Sequence, residues 1–569
     1  MIATHTTLFA VLRRSLLGGT GALMLAITAT AQDPGSVYRE HVWKPSGPLK
    51  WERVTGTDAT DPGALAFLPN PVHQISIIDL TDAVACEVVI EKLTSHSGTR
   101  KPRMRVNGNA WISIPEPDPN VIPGTRGSGL PTTEYLQMTY PAIPVPLAQL
   151  VSGTNTFEFN CEGNGGSAIG VTWPQWLHYG VNFRIYYKST KAGAPSGSIL
   201  SPRDGDIVGD DPIFDVQTAP ASGTSITRVD LLGDYDDFDW AGDGTESGWR
   251  ASYRYGNLEH NMATLFNAPW KPRWQNTWIP TQNSHFRVVA RIVASNGLMV
   301  VTEPVRLGML RNKTVHRYRS TNISRTWMTR ASISRGNDIH VTGDLSKAIE
   351  ARFTVATWNA TALDEVRLNN LNLMGAFGRG YDMSHDTFGV PLARINPGYN
   401  RFTTHAATLE HGCEVQWPGF ELFVRYDIPE TPAVFIPYGT SCVGTNGTPE
   451  LSNQGFPKLT QSYFAKLSNG TANAPVILLN GFSKDTWASF PLPFDWAPIG
   501  APGCKLATSI DFTLGLATDA SGMTSQQFTV PNRPEFLGGS LFAQFAIFDP
   551  SANSLGITLS DAGRWLFGQ

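Results

Sequence analysis

Charge is scarce in this 569-residue chain: Asp, Glu, Lys and Arg make up 16% of it, against about 25% in an average soluble protein. Neither sign dominates, and a net charge of −4 removes any global drive toward nucleic acid. Cysteine is rarer still. There are five, with no Cys-x-x-Cys and no Cys/His cluster at zinc-ligand spacing, which argues against a structural zinc module. Long helical periodicity is missing too. Gly (54) and Pro (40) interrupt almost every window, and only Leu345 to Ala351 reads as a short helix. Beyond residue 31 no stretch approaches the length of a membrane-spanning helix. Catalytic signatures are also wanting: there is no Gly-x-Ser-x-Gly elbow, no P-loop and no His-Glu-x-x-His. Gly163 to Ala168 fits a dinucleotide fingerprint formally, but no helix follows, so it reads as a loop between strands.

What is present is apolar, aromatic and rich in turns. Hydrophobic residues make up 41%, enough for several cores, and the length allows roughly four domains. Arg13 and Arg14 precede an apolar run from Ser15 to Ala29 that is broken by Gly18, Gly19 and Gly21. Ala29-Thr30-Ala31 then offers small residues before Gln32. Residues 1–31 therefore read as a secretory signal, and the protein is expected in the periplasm, at the cell surface or in the medium. Cys442 and Cys504 both end Gly-rich turns in one C-terminal region. They are expected to form a disulfide that stabilises by about 4 kcal/mol on the loop-entropy model. Cys86 and Cys161 could pair or stay reduced in a core, and Cys413 is left over.

Strand patterns dominate. Val181, Phe183, Ile185 and Tyr187 alternate with Asn182, Arg184, Tyr186 and Lys188. Phe286, Val288, Ala290 and Ile292 share a face, and Leu422, Val424 and Tyr426 alternate with Glu421, Phe423 and Arg425. A period of two marks half-buried antiparallel strands. Breaks at Lys191–Ser198, Arg311–Thr314 and Asp427–Pro432 divide the chain into blocks at 50–190, 198–312, 313–428 and 435–569, each the size of a β-sandwich. The first and third blocks read as divergent copies. Val145-Pro-Leu-Ala-Gln-Leu-Val-Ser-Gly153-Thr-Asn155-Thr-Phe157 matches Val390-Pro-Leu-Ala-Arg-Ile-Asn-Pro-Gly398-Tyr-Asn400-Arg-Phe402 without a gap. Asn107-Gly108 and Asn369-Asn370 lie upstream of the two runs; Trp173-Pro174 and Trp417-Pro418 lie downstream. The Gly-x-Asn suits a tight turn feeding a final strand.

These residues carry a resemblance. The L-x-x-G-x-N-x-F run with its closing strand resembles the galactose-binding-like jelly roll of many carbohydrate-binding modules. The segment from Ile199 through Pro202, Gly205 and Val208 resembles an immunoglobulin-like module of secreted polysaccharide-active proteins. Asp234 to Gly244, with Trp278-Ile-Pro280, is similar to a version found in exported bacterial proteins, in which an acidic residue often follows the Trp-x-Pro; here that position is Thr281. His411 to Gly419 is similar to the end of the jelly roll that accompanies it. The block from Tyr438 to Gln569, through Cys442, Leu492-Pro493, Gly500 to Cys504 and Ala552 to Gly556, resembles a domain at the C-termini of secreted proteins of aquatic bacteria. The resemblance implies an all-β protein of tandem β-sandwiches: jelly roll, immunoglobulin-like, jelly roll and a C-terminal sandwich suited to envelope attachment or sorting. It says almost nothing about activity.

Two stretches carry candidate chemistry. Trp173, Trp176, His178 and Tyr179 put four rings into seven residues ahead of a closing strand. In a loop they would offer a stacking face and polar edges to a sugar; otherwise they anchor the loop in the core. The second stretch holds seven carboxylates and no base: Asp230, Asp234, Asp236, Asp237, Asp239, Asp243 and Glu246. A structural calcium ion would relieve their repulsion, with Asp234, Asp236, Asp237, Asp239 and Asp243 as ligands; a solvated hairpin tip is the alternative. His411 and Glu414, near Trp417, are the third block's counterpart to the aromatic loop.

The expected function is a non-catalytic carbohydrate-binding or adhesive protein of the cell surface, with a polysaccharide or glycan as partner. The rival is a polysaccharide hydrolase or lyase whose inter-domain site draws on Asp236, Asp237, Asp239 or His260. A purely structural envelope protein is the third reading.

Overall fold

A computed structural model describes residues 33–94, 99–115, 137–163, 173–245, 247–321, 323, 328–331, 334–375, 377–408 and 412–569. The expected signal sequence, Glu246 and His411 lie outside them. The fold is all-β, a tandem array of β-sandwiches, and among the described residues the only α-helix is the single turn Pro62–Leu65.

In the first sandwich, the sheet carrying Ala83–Thr94 and Gln175–Tyr187 faces the sheet carrying Val72–Ile77, Gly153–Gly163 and Thr99–Val106. Phe157, Phe159, Phe183 and Ile185 fill the space between. Strands Ile226–Asp236, Phe286–Ala294 and Val305–Met309 frame a second core around Phe214, Tyr235 and Trp274. A third is built on Ala348–Trp358 and Cys413–Tyr426, opposed by Arg335–Val341 and Gly398–His405. The fourth packs Pro475–Gly481, Ser540–Phe548 and Ile557–Leu566 over Glu450–Gly455, Ser462–Ser468 and Thr524–Thr529.

Strand Val37–Trp43 joins the first two units. It pairs with Gln175–Tyr187 on one edge and with Leu298–Val301 on the other, so one sheet runs through both. This corrects the expectation of a half-buried strand from Val181 to Lys188: the strand runs Gln175–Tyr187 and is buried along its whole length. On its far side Arg184 donates to Glu40 at 3.0 Å, Glu87 at 2.9 Å and Tyr253 at 2.9 Å. Arg291 reaches Tyr253 at 3.0 Å and Asp230 at 2.9 Å. Burial alone would raise the Glu40 carboxyl, but the Arg291 and Arg184 charges outweigh it and bring it down to about 2. A buried charge persists only with such partners.

The short helix expected at Leu345 to Ala351 is a correction as well. Only Leu345–Lys347 forms a helical turn, capped by the Asp344 side chain on the Ser346 N–H. Strand Ala348–Trp358 then takes over, pairing on both edges, and that pairing outweighs local propensity.

The repeated runs fold alike. In the first sandwich Asn155 exchanges hydrogen bonds with the Val151 backbone, and Asn107 donates to Asn155 Oδ1 at 2.8 Å. In the third, Asn400 exchanges with the Asn396 backbone, and Asn369 donates to Asn400 Oδ1 at 2.9 Å. Gly153 (φ +105) and Gly398 (φ +78) hold the same turn position, which a residue with a Cβ adopts only under strain.

Cys442 and Cys504 form the expected disulfide, with Cα atoms 4.8 Å apart. Cys86, Cys161 and Cys413 are buried free thiols.

Candidate functional site

Of the four residues expected to face a sugar, three do not reach the surface. Trp176, His178 and Tyr179 are fully buried. The alternation that sequence places after Tyr179 already begins at Gln175, so the supposed loop is the first half of a strand. Trp176 and His178 point into the first core: Trp176 packs on Phe159 at 5.1 Å, and His178 lies near Trp43 and His73 at 5.4 and 5.6 Å. Burial, with the His73 ring beside it, holds His178 neutral, well below the usual imidazole range. Tyr179 points the other way, onto Tyr255 of the second unit.

Trp173 stays at the rim. Its ring lies 5.7 Å from Phe67, tilted by 32°, and Phe67 is 46% exposed. The Arg53 guanidinium sits 4.1 Å from the Phe67 ring centre and 5.3 Å from that of Trp173. Arg53 is fixed by a 2.5 Å hydrogen bond to Gln175 Oε1. The helical turn Pro62–Leu65, capped by Asp61, brings Gly63 against the Trp173 ring. Two rings and a guanidinium edge thus share one half-open surface, the arrangement that stacks on sugar C–H faces and bonds hydroxyls.

The acidic stretch is not one cage. Asp234 pairs with Arg287, and Asp236 accepts from Arg317 at 3.0 Å. Asp237 accepts from the Trp240 indole at 2.9 Å. Asp239 accepts from Gly244 N at 2.8 Å and from the Trp417 indole at 3.2 Å. Asp243 accepts from Thr245 N at 2.9 Å. Repulsion is relieved by arginines, indoles and backbone N–H groups of the chain itself, and by burial that pushes the Asp239 carboxyl up to about 7. Arg317 and Trp417 belong to the third unit, so Asp236 and Asp239 dock it on the second. Glu414, the described member of the third block's expected pair, is pushed up to about 8 by burial.

Three units meet around Phe238, Tyr179, Trp358 and Phe423, with Trp240 and Tyr255 at the edge. Tyr255 Oη donates to Asp382 at 2.7 Å, and Arg254 reaches the same carboxylate at 3.4 Å. Glu259, His260 and His385 lie alongside, each half-buried. One ligand atom from each falls within 4.8 Å of the others, and among the described residues no other such group of three occurs. His260 stacks on Trp240 at 3.9 Å and 11°, and His385 meets His260 edge-on at 4.6 Å. Burial, reinforced by the Arg254 charge, lowers His260 to about 3; His385 is held well below its ordinary value by burial, then by His260.

Sequence reasoning singled out His260 but missed Glu259, His385, Arg53 and Phe67. Glu259 directly precedes His260 in sequence, but His385 comes from another unit, and Arg53 and Phe67 lie more than 100 residues from Trp173, so no spacing links them. A further open cavity of about 280 Å³ lies where Thr281, His316, Tyr426 and Glu430 meet the C-terminal Gln569.

No protein-family model matches the chain, and no curated protein does. Among solved structures it is similar to a beta-porphyranase of glycoside hydrolase family 86 from Bacteroides plebeius, at 11% identity over 42% of this chain and 38% of that one, with a TM-score of 0.16. It is similar also to fibronectin(III)-like modules of Clostridium thermocellum CbhA, at 11% identity over 47% and 92% with a TM-score of 0.14. A tetra-tandem repeat from the extending region of a large adhesion protein matches at 10% identity over 91% and 99%, again with a TM-score of 0.14. At such identities and TM-scores these likenesses carry no argument about function.

Proposed function

We propose that this is an exported, non-catalytic glycan-binding protein of the cell surface, and that its binding face is the Trp173 rim of the first sandwich. One observation carries this reading: Trp173, the exposed Phe67 and the Arg53 guanidinium lie on one surface. The rings supply a stacking platform, and Arg53, anchored through Gln175, keeps further N–H donors for hydroxyl or acidic groups of a saccharide. Fused units with a shared sheet suit a rigid carrier that holds this face away from its attachment point. The C-terminal sandwich is the attachment end in this reading.

A glycan array on the full chain, followed by calorimetry with the best ligand, tests it. Trp173→Ala and Arg53→Ala are each expected to weaken binding at least about tenfold, the scale of losing a stacking or bidentate contact. Binding unchanged in both variants would exclude this face. Shortened or unsaturated products accumulating over time would replace the reading with the enzymatic one.

A further inference from the structure

We propose that Glu259, His260 and His385 form a binding site for one divalent transition-metal ion of the zinc class, clipping the second unit to the third. The donor set carries the choice of ion. Two imidazoles and one carboxylate suit zinc and its neighbours, whereas calcium takes 6–8 oxygens.

The surroundings orient these donors. The Ser252 hydroxyl lies 2.7 Å from His260 Nδ1, which leaves Nε2 for an ion. That outer contact is the kind that fixes the ring of a ligating histidine. Trp240 lies flat on the His260 ring, and its indole N–H is tied to Asp237. His385 projects from strand Met383–Gly389, held through its register with Ala356. Among the described residues, no side chain hydrogen-bonds the Glu259 carboxylate or the His385 ring. A tetrahedral ion with bonds of about 2.0–2.2 Å spaces its ligands about 3.4 Å apart. Closing from within 4.8 Å therefore takes a side-chain adjustment of about an ångström or less per residue. Two cations act on this site, Arg254 and Arg379, and both pair with Asp382, at 3.4 and 3.9 Å.

The test uses the full chain stripped with a chelator and then titrated with ZnCl2 by calorimetry. A parallel titration with CoCl2 follows visible absorption. The expected result is one ion per chain, the intense absorption of four-coordinate cobalt and a higher thermal midpoint. His385→Ala and the isosteric Glu259→Gln are each expected to weaken binding at least about tenfold. Glu259→Gln retains the shape of the side chain, so it decides the matter if His385→Ala fails to fold. No binding at millimolar zinc overturns the proposal. So does zinc binding unchanged in both variants, or displacement of zinc by an equal concentration of CaCl2.

Discussion

Arg311 and Glu430, 119 residues apart in sequence, form a fully buried ion pair at 2.6 Å. Each lies in a stretch whose composition reads as a linker. Yet Arg311 also donates to the Ile279 and Asn276 carbonyls, and Glu430 accepts from Thr281 Oγ1 at 2.8 Å. Thr281 follows the Trp-x-Pro, where the resemblance leads one to expect an acidic residue. The acid at this junction comes instead from Glu430. These contacts turn the segments between the second, third and fourth units into a fixed joint.

Removing Arg311 alone should therefore be costly. Arg311→Met strands the Glu430 carboxylate without its counter-charge, and the expected loss is about 3–5 kcal/mol. The double variant Arg311→Met/Glu430→Gln should recover much of that, because no buried charge is left over. Thermal unfolding of both variants checks this. A double variant no more stable than Arg311→Met would show that the pair holds the joint by shape alone.

The duplicated Asn networks give a paired expectation. Asn155 and Asn400 are both completely buried, and each satisfies backbone groups of its own turn. Replacing either by Ala orphans those groups, at about 1–3 kcal/mol each. Urea denaturation should show similar penalties for the two variants, each confined to its own sandwich. A large cost at one and none at the other would mean that the shared geometry is not shared energetics.

Such local motifs are what the sequence makes legible. Gly153-Thr-Asn155 and Gly398-Tyr-Asn400 announce a turn because their physics lies within a few residues. Cys442 and Cys504 could be paired because both sit in turns of one block. The contacts between units left no such trace. Arg184 reads as the solvent-facing residue of an alternating strand until Glu40, Tyr253 and Arg291 arrive from elsewhere to bury it. Trp176 and His178 read as loop residues because strand onset depends on pairing with Glu52–Thr55, far away in sequence. Glu259 and His385 are unremarkable until two units dock.

The disulfide gives a stability expectation. It closes a separation of 62 residues, and removing it by Cys442→Ala/Cys504→Ala should cost the fourth sandwich about 4 kcal/mol through a freer unfolded chain. Thiol labelling of the unfolded, unreduced protein should modify Cys86, Cys161 and Cys413 but neither Cys442 nor Cys504. Full labelling of either bridge residue would refute the pairing.

Glu91 sets the sign of a pH dependence. Its carboxylate is buried beneath the Tyr255-Gly256 turn, accepting from Gly256 N at 2.6 Å and Tyr255 N at 2.7 Å. It rests directly on Gly180, where a Cβ would collide with its oxygens. Burial is the largest influence and outweighs those donors and Arg254, pushing the group up to about 7. In the unfolded chain a glutamate titrates near about 4.3. Below that pH both states hold the proton, and the contribution of Glu91 to stability is at its fullest. As the pH rises toward 7 the unfolded chain releases its proton while the folded one keeps it, so that contribution is progressively lost. Glu91→Gln removes this titration. The difference in thermal midpoint between wild type and Glu91→Gln should therefore shift against the wild type from pH 4.5 to about pH 7, then level off. Gly180→Ala, whose Cβ would collide with the Glu91 carboxylate, should destabilise the protein. Parallel midpoint curves for wild type and Glu91→Gln across that window would place the Glu91 titration at its unfolded value and remove the burial argument for this junction.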